Sequence, residues 1–187
     1  MRIIAGEYRG RKLKTLSGQQ TRPTMDKIKE SIFHRLGPFF SGGQCLDLFA
    51  GSGALGIEAL SRGFERAVFI DRNRQAVKTI RQNLQLLQIP KERVIVWQLD
   101  ALQALRRLGK MNDSFQMIFI DPPYYQINFS KLLTEIEQHR LLTGDGIIYC
   151  EHGADEKLTN QVGLLNQYQQ ISYGQTTSVS LYQYVKE

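Results

Sequence analysis

The chain has 187 residues, 42% of them hydrophobic and 22% charged, which fits one compact domain with a core of its own. No run of about 18 apolar residues occurs, and Met1–Glu7 shows no apolar stretch ahead of a small-residue cleavage site, so membrane spans and secretion are not expected. Two cysteines, Cys45 and Cys150, with His34, His139 and His152 scattered along the chain, make neither a disulfide framework nor a zinc site. A cytoplasmic, metal-free protein is expected.

The formal net charge of +6 is unevenly placed. Residues 1–35 hold nine basic side chains (Arg2, Arg9, Arg11, Lys12, Lys14, Arg22, Lys27, Lys29 and Arg35) against three acids, and the remaining 152 residues hold fifteen of each sign. A basic N-terminal segment facing a polyanion would account for this, as would a solvated basic terminus.

In chain order, Arg2-Ile3-Ile4 and Arg11–Thr15 read as an extended pair around a turn at Gly6–Gly10. After a polar stretch, Pro23-Thr24 opens a helix with Ile28, Ile32, Phe33 and Leu36 on one face and Lys27, Lys29 and Glu30 away from it. Gly37-Pro38 ends it. Strands and helices then alternate. The strands are Cys45–Phe49, Arg66–Ile70, Arg93–Trp97, Phe115–Ile120 and Gly146–Cys150. The helices are Ala54–Arg62, one capped by Asn73, one following Asp100, and Phe129–Gln138. Tyr168–Tyr173 and Val179–Val185, with no helix between them, read as an antiparallel hairpin. A Rossmann-like α/β fold follows: a mostly parallel seven-stranded sheet with helices on both faces, a C-terminal antiparallel hairpin and residues 1–40 as a basic appendage to a single domain.

Gly51-Ser52-Gly53-Ala54-Leu55-Gly56 satisfies G-x-G-x-x-G between a strand and a helix, and Asp71 closes the next strand twenty residues on. This pattern suits an adenosine ligand, with the Asp71 carboxylate on the ribose hydroxyls. Asp47, four residues ahead of Gly51, would repel a pyrophosphate but attract the sulfonium and ammonium of S-adenosylmethionine. Asp100 could accept from the adenine amine or simply cap its helix. Asp121-Pro122-Pro123-Tyr124 follows an apolar strand at the edge where open α/β sheets bind ligands. Asp121 and the rigid Pro-Pro carbonyls could hold an exocyclic amine, and Tyr124 could stack on its base. Tyr125 and Phe129 are expected to pack.

On these residues the sequence resembles the RsmD family. The resemblance is carried by Asp47–Gly56, Glu58–Gly63, Asp121–Tyr124 and the N-terminal blocks Arg2–Gly6, Arg9–Leu13 and Arg22–Thr24. It implies a class I S-adenosylmethionine-dependent enzyme that methylates the 2-amino group of guanine 966 in 16S rRNA, within the small ribosomal subunit or an assembly intermediate. By position, the cofactor set is Asp47, Phe49, Gly51, Ser52, Gly53, Asp71, Arg72, Asp100, Ala101 and Asp121. The catalytic turn is Asp121, Pro122, Pro123 and Tyr124, and the RNA contacts are Arg2, Arg9, Arg11, Lys12, Arg22 and Thr24. Family members often carry Glu where Asp71 stands and a second acid where Asn73 stands. A monomer is expected. The other readings are a DNA adenine amino-methyltransferase, an inactive RNA-binding ribosome assembly factor and a nicotinamide-dependent dehydrogenase.

Overall fold

A computed structural model describes residues 1–16, 23–123 and 127–185, with the backbone alone at 23–27. The chain divides into two compact units, Met1–Leu99 and Asp100–Glu187.

The first unit contains α1 (Pro23–Leu36), β1 (Gln44–Asp47), α2 (Ala54–Ser61), β2 (Arg66–Asp71), α3 (Arg74–Leu86) and β3 (Val94–Gln98). Its strands pair in parallel in the order β3-β2-β1, with Cys45 opposite Ala67 and Val68 opposite Ile95. Cys45, Leu46 and Leu48 are all buried without alternation, as in strands covered on both faces. The Asn73 side chain accepts from Gln75 N and caps α3, whose Ala76, Val77, Ile80 and Leu84 turn inward.

The N-terminal segment forms the expected pair, with Arg2 bridged antiparallel to Lys12 and Ile3 N donating to Arg11 O at 3.0 Å. Ile3 and Leu13 point inward, and Arg2, Arg9, Arg11, Lys12 and Lys14 remain exposed. Glu58, fully buried in the middle of α2, anchors the segment. Its carboxylate accepts from Ile4 N (2.9 Å) and Ala5 N (3.1 Å) and pairs with Lys29 Nζ (3.0 Å) and Arg62 Nε (2.8 Å). Lys29 was expected to face away from the packed side of α1. Instead it is buried, because this carboxylate and the Arg2 carbonyl take its ammonium. Gly6, at φ +84°, lies against the Ser61 carbonyl so closely that a Cβ would overlap it.

The second unit contains α4 (Ala101–Lys110), β4 (Phe115–Ile120), α5 (Phe129–Gln138), β5 (Leu142–Gly153), β6 (Gln161–Val162), β7 (Leu165–Tyr173) and β8 (Thr177–Tyr184). Its strand order is β4-β5-β8-β7-β6, with β4 and β5 parallel and the later pairs antiparallel. The α/β class is as expected, with a mixed sheet and C-terminal antiparallel strands. The described residues hold eight strands rather than seven, because the two-residue β6 turns into β7 through Gly163 at φ +54° and is too short to show periodicity. β5 begins earlier than expected. A register shift between Phe115 and Met117 absorbs the polar Thr143–Asp145 stretch that reads as a loop. No helix among the described residues is long and apolar enough to cross a membrane.

Glu58→Ala would strand a buried ammonium and two backbone donors, a loss of about 3–5 kcal/mol. A fall in the urea midpoint of that size is expected, and a surface-like change of under about 0.5 kcal/mol would contradict the anchoring role.

Candidate functional site

The glycine loop lies between β1 and α2. Gly51 and Gly53 sit at φ +54° and +82°, a region that side chains other than glycine rarely enter. A Cβ added at Gly51 would meet nothing nearer than Phe49 O at 4.0 Å, so the loop presents bare backbone to open space. Gly56 serves packing instead, because a Cβ there would run into the Phe69 ring.

Asp47 ends β1 beneath the loop, 1% exposed, with Oδ2 accepting from Gly56 N at 3.0 Å. An internal carboxylate therefore already takes an amide of the first turn of α2, where a dinucleotide would place its pyrophosphate. Burial pushes the Asp47 carboxyl from 3.8 up to about 7; the Gly56 amide pulls it down and the charge of Asp71 adds to the rise. Asp71, at the end of β2, accepts from Gly51 N (2.9 Å) through Oδ2 and from Asn73 N (2.8 Å) through Oδ1. A carboxylate has about four acceptor positions, so this one can brace the loop and still receive ligand hydroxyls. Phe49 is half-buried, Ser52 buried and Arg72 exposed beside the loop. The loop thus offers an adenosine-type cofactor bare glycine backbone and a carboxylate for hydroxyls. Asp47 adds a buried acid that favours positive charge.

Asn83, fully buried on α3, was missed by the sequence reading. Its amide nitrogen donates to Ser52 O (2.8 Å) and Lys14 O (3.0 Å), and its oxygen accepts from Lys14 N (2.8 Å). One side chain thereby joins the basic segment to the glycine loop. A polar residue in the α3 stripe of Val77, Ile80 and Leu84 was the available signal.

In the second unit, Asp100 Oδ1 accepts from Leu102 N (3.0 Å) and Gln103 N (3.4 Å), so Asp100 caps α4, and Ala101 is buried just inside it. Asp121, half-buried, leaves the carboxyl end of β4; Pro122 is buried and Pro123 exposed. Tyr124 and Tyr125 lie outside the described residues, as do Arg22 and the side chain of Thr24. Pro122, Pro123, Ile127, Phe129, Glu151, His152 and Glu156 line one small, shallow hollow at this turn. Phe129 packs as expected, edge-on to the buried His152. Tyr149, 1% exposed, donates its hydroxyl to Glu151 Oε2 at 2.5 Å. Burial first, then the charges of Glu151 and Asp121, hold that phenol well above its ordinary range, so it stays a donor.

The fold is shared with S-adenosylmethionine-dependent methyltransferases of known structure. The family model described as conserved hypothetical protein 95 matches residues 1–183, and the chain belongs to that family, the RsmD-like methyltransferases. It is 47% identical over 97% of its length to 98% of a Bacillus subtilis (strain 168) protein named "Putative rRNA methyltransferase YlbH". It is 35% identical over 84% of its length to 81% of "Ribosomal RNA small subunit methyltransferase D" of Haemophilus influenzae. Among solved structures, "Putative methyltransferase yhhF from Escherichia coli" superposes with a TM-score of 0.85 at 33% identity, covering 98% of this chain and 97% of that one.

The raised carboxyl of Asp47 carries a sign. The folded chain keeps a proton that the unfolded chain releases between about pH 4 and 7, so this contribution to stability is present at low pH and lost as pH rises to about 7. Its size is about 4 kcal/mol. Asp47→Asn keeps the acceptor for Gly56 N and removes the titration. The variant is therefore expected to gain on the wild type in urea unfolding between pH 5 and pH 8, whereas a constant difference would contradict the buried charge.

Proposed function

We propose that the chain transfers a methyl group from S-adenosylmethionine to the exocyclic 2-amino group of a guanine in 16S rRNA, guanine 966 by resemblance, in the small subunit or its assembly intermediate. The observation that carries the cofactor is the Asp47 carboxyl, which accepts from the first turn of α2 where a phosphorylated coenzyme would need an empty amide. The family and the rRNA methyltransferases among the relatives support the acceptor.

S-adenosylmethionine, when bound, supplies an electrophilic methyl group. The glycine loop and Asp71 would hold its adenosine, and the Asp47 carboxylate would favour its positive charge. Phe49, Ser52, Arg72, Asp100 and Ala101 border it, together with Asp121. The lone pair of a base amine is delocalised into the ring and is a poor nucleophile. Asp121 accepts from the amine hydrogens and, with a Pro-Pro carbonyl, orients the lone pair outward; Tyr124 gives the extruded base a face to lie on. The exposed cations Arg2, Arg9, Arg11 and Lys12, with Arg22 and Thr24, hold RNA phosphates.

Labelled methyl transfer to small subunits from an unmodified strain, to free rRNA and to DNA tests the acceptor; label appearing in DNA alone would overturn the reading. Asp121→Ala is expected to cut transfer by about 100- to 1,000-fold, far more than it lowers S-adenosylhomocysteine affinity. Replacing Arg9, Arg11 and Lys12 together with Ala should lower the slope of log affinity against log salt by about 2. An unchanged slope would remove the N-terminal segment from the RNA interface.

A further inference from the structure

The geometry points to Glu151 as the residue that selects guanine at the Asp121-Pro122-Pro123 turn, by accepting the ring N1–H beside the amine that Asp121 holds. This rests on the guanine-N2 reading above and adds to it the source of base discrimination.

The placement follows from the sheet. β4 and β5 are parallel, with Ile120 opposite Cys150, so Asp121, the first residue past the end of β4, comes level with Glu151, which lies within β5. Glu151 also lines the hollow at Pro122 and Pro123. Its carboxylate is oriented from behind, because Tyr149, two residues earlier and therefore on the same face of β5, donates to Oε2 at 2.5 Å. Tyr149 is 1% exposed, which makes the phenol a fixed donor rather than a mobile surface group.

Guanine presents two adjacent donors along one edge, the N2 amine and N1–H. Adenine presents a bare N1 lone pair beside its own amine. Two carboxylates level with one another on adjacent strands match the first pattern and repel the second. A site built to accept a hydrogen bond strongly rejects an analogue that lacks the donor. Asp121 alone cannot discriminate in this way, because every exocyclic base amine offers it the same hydrogens.

The test uses the full-length chain and the RNA that takes label at guanine, with that guanine replaced by 2-aminopurine. This analogue keeps the 2-amino group but has an unprotonated N1. The wild type is expected to prefer guanine by about 100-fold or more in kcat/KM. Glu151→Gln, whose amide can donate to a bare N1, should bring the ratio within about 10-fold while S-adenosylhomocysteine affinity and melting temperature hold. A folded Glu151→Gln protein with the wild-type ratio would overturn the inference and leave the guanine-N2 reading standing. If Glu151→Gln does not fold, Tyr149→Phe decides, since it keeps the carboxylate and removes its orienting donor. A several-fold narrowing of the ratio is then expected, and an unchanged ratio counts against Glu151. A wild type that labels no guanine in any RNA would overturn both the reading and the inference.

Discussion

A carboxylate with almost no access to water, Asp47, closes on the amide of Gly56 at the start of α2, and the rest of the first unit is arranged around the helix so fixed. Helix starts expose several amides that attract anions. Supplying a carboxylate from within the chain takes one of those amides and disfavours a phosphate there, beneath a loop of bare glycine backbone. The same helix carries Glu58 a half-turn further on, and its four donors come from the N-terminal segment, from α1 and from Arg62. Two buried acids on or against one short helix thus serve opposite ends of the unit, one the glycine loop and the other the basic segment.

The two acids differ in how their burial is offset. Glu58 has two cations and two amides, and its neighbours lose as much as it does if it is removed. Asp47 has one amide and a like charge at Asp71, and its carboxyl rises accordingly. A buried acid that meets no counter-charge among the described residues weakens the ligand-free protein near neutral pH, and a cationic ligand would supply one. Stability forgone at a site in this way is a common mark of function.

In the second unit, parallel pairing performs a comparable service. Strands in register set the end of β4 beside Cys150 and Glu151 of β5, so that a motif readable on one strand acquires a neighbour from the other. Tyr149 shows the cost of such a place: a phenol is buried and spends its proton on Glu151. The antiparallel β8 then covers β5 from the other side, with Glu151 opposite Val179.

Much of this was legible in the residue order, because it depends on contacts within a few positions along the chain. The alternation of strands and helices, the Asn73 and Asp100 caps, the glycine loop and the Asp-Pro-Pro turn are local patterns with local causes, and their positions were read to within a residue or two. Three features were not legible: the burial of Lys29, the bridge made by Asn83 between Lys14 and Ser52, and the register that sets Asp121 level with Glu151. In each, residues distant in sequence share one hydrogen bond or one edge, and whether a polar side chain faces water or a partner is decided by what the fold lays over it. The short β6 and the early start of β5 escaped for a related reason, since strand ends are set by the neighbour they pair with rather than by their own periodicity.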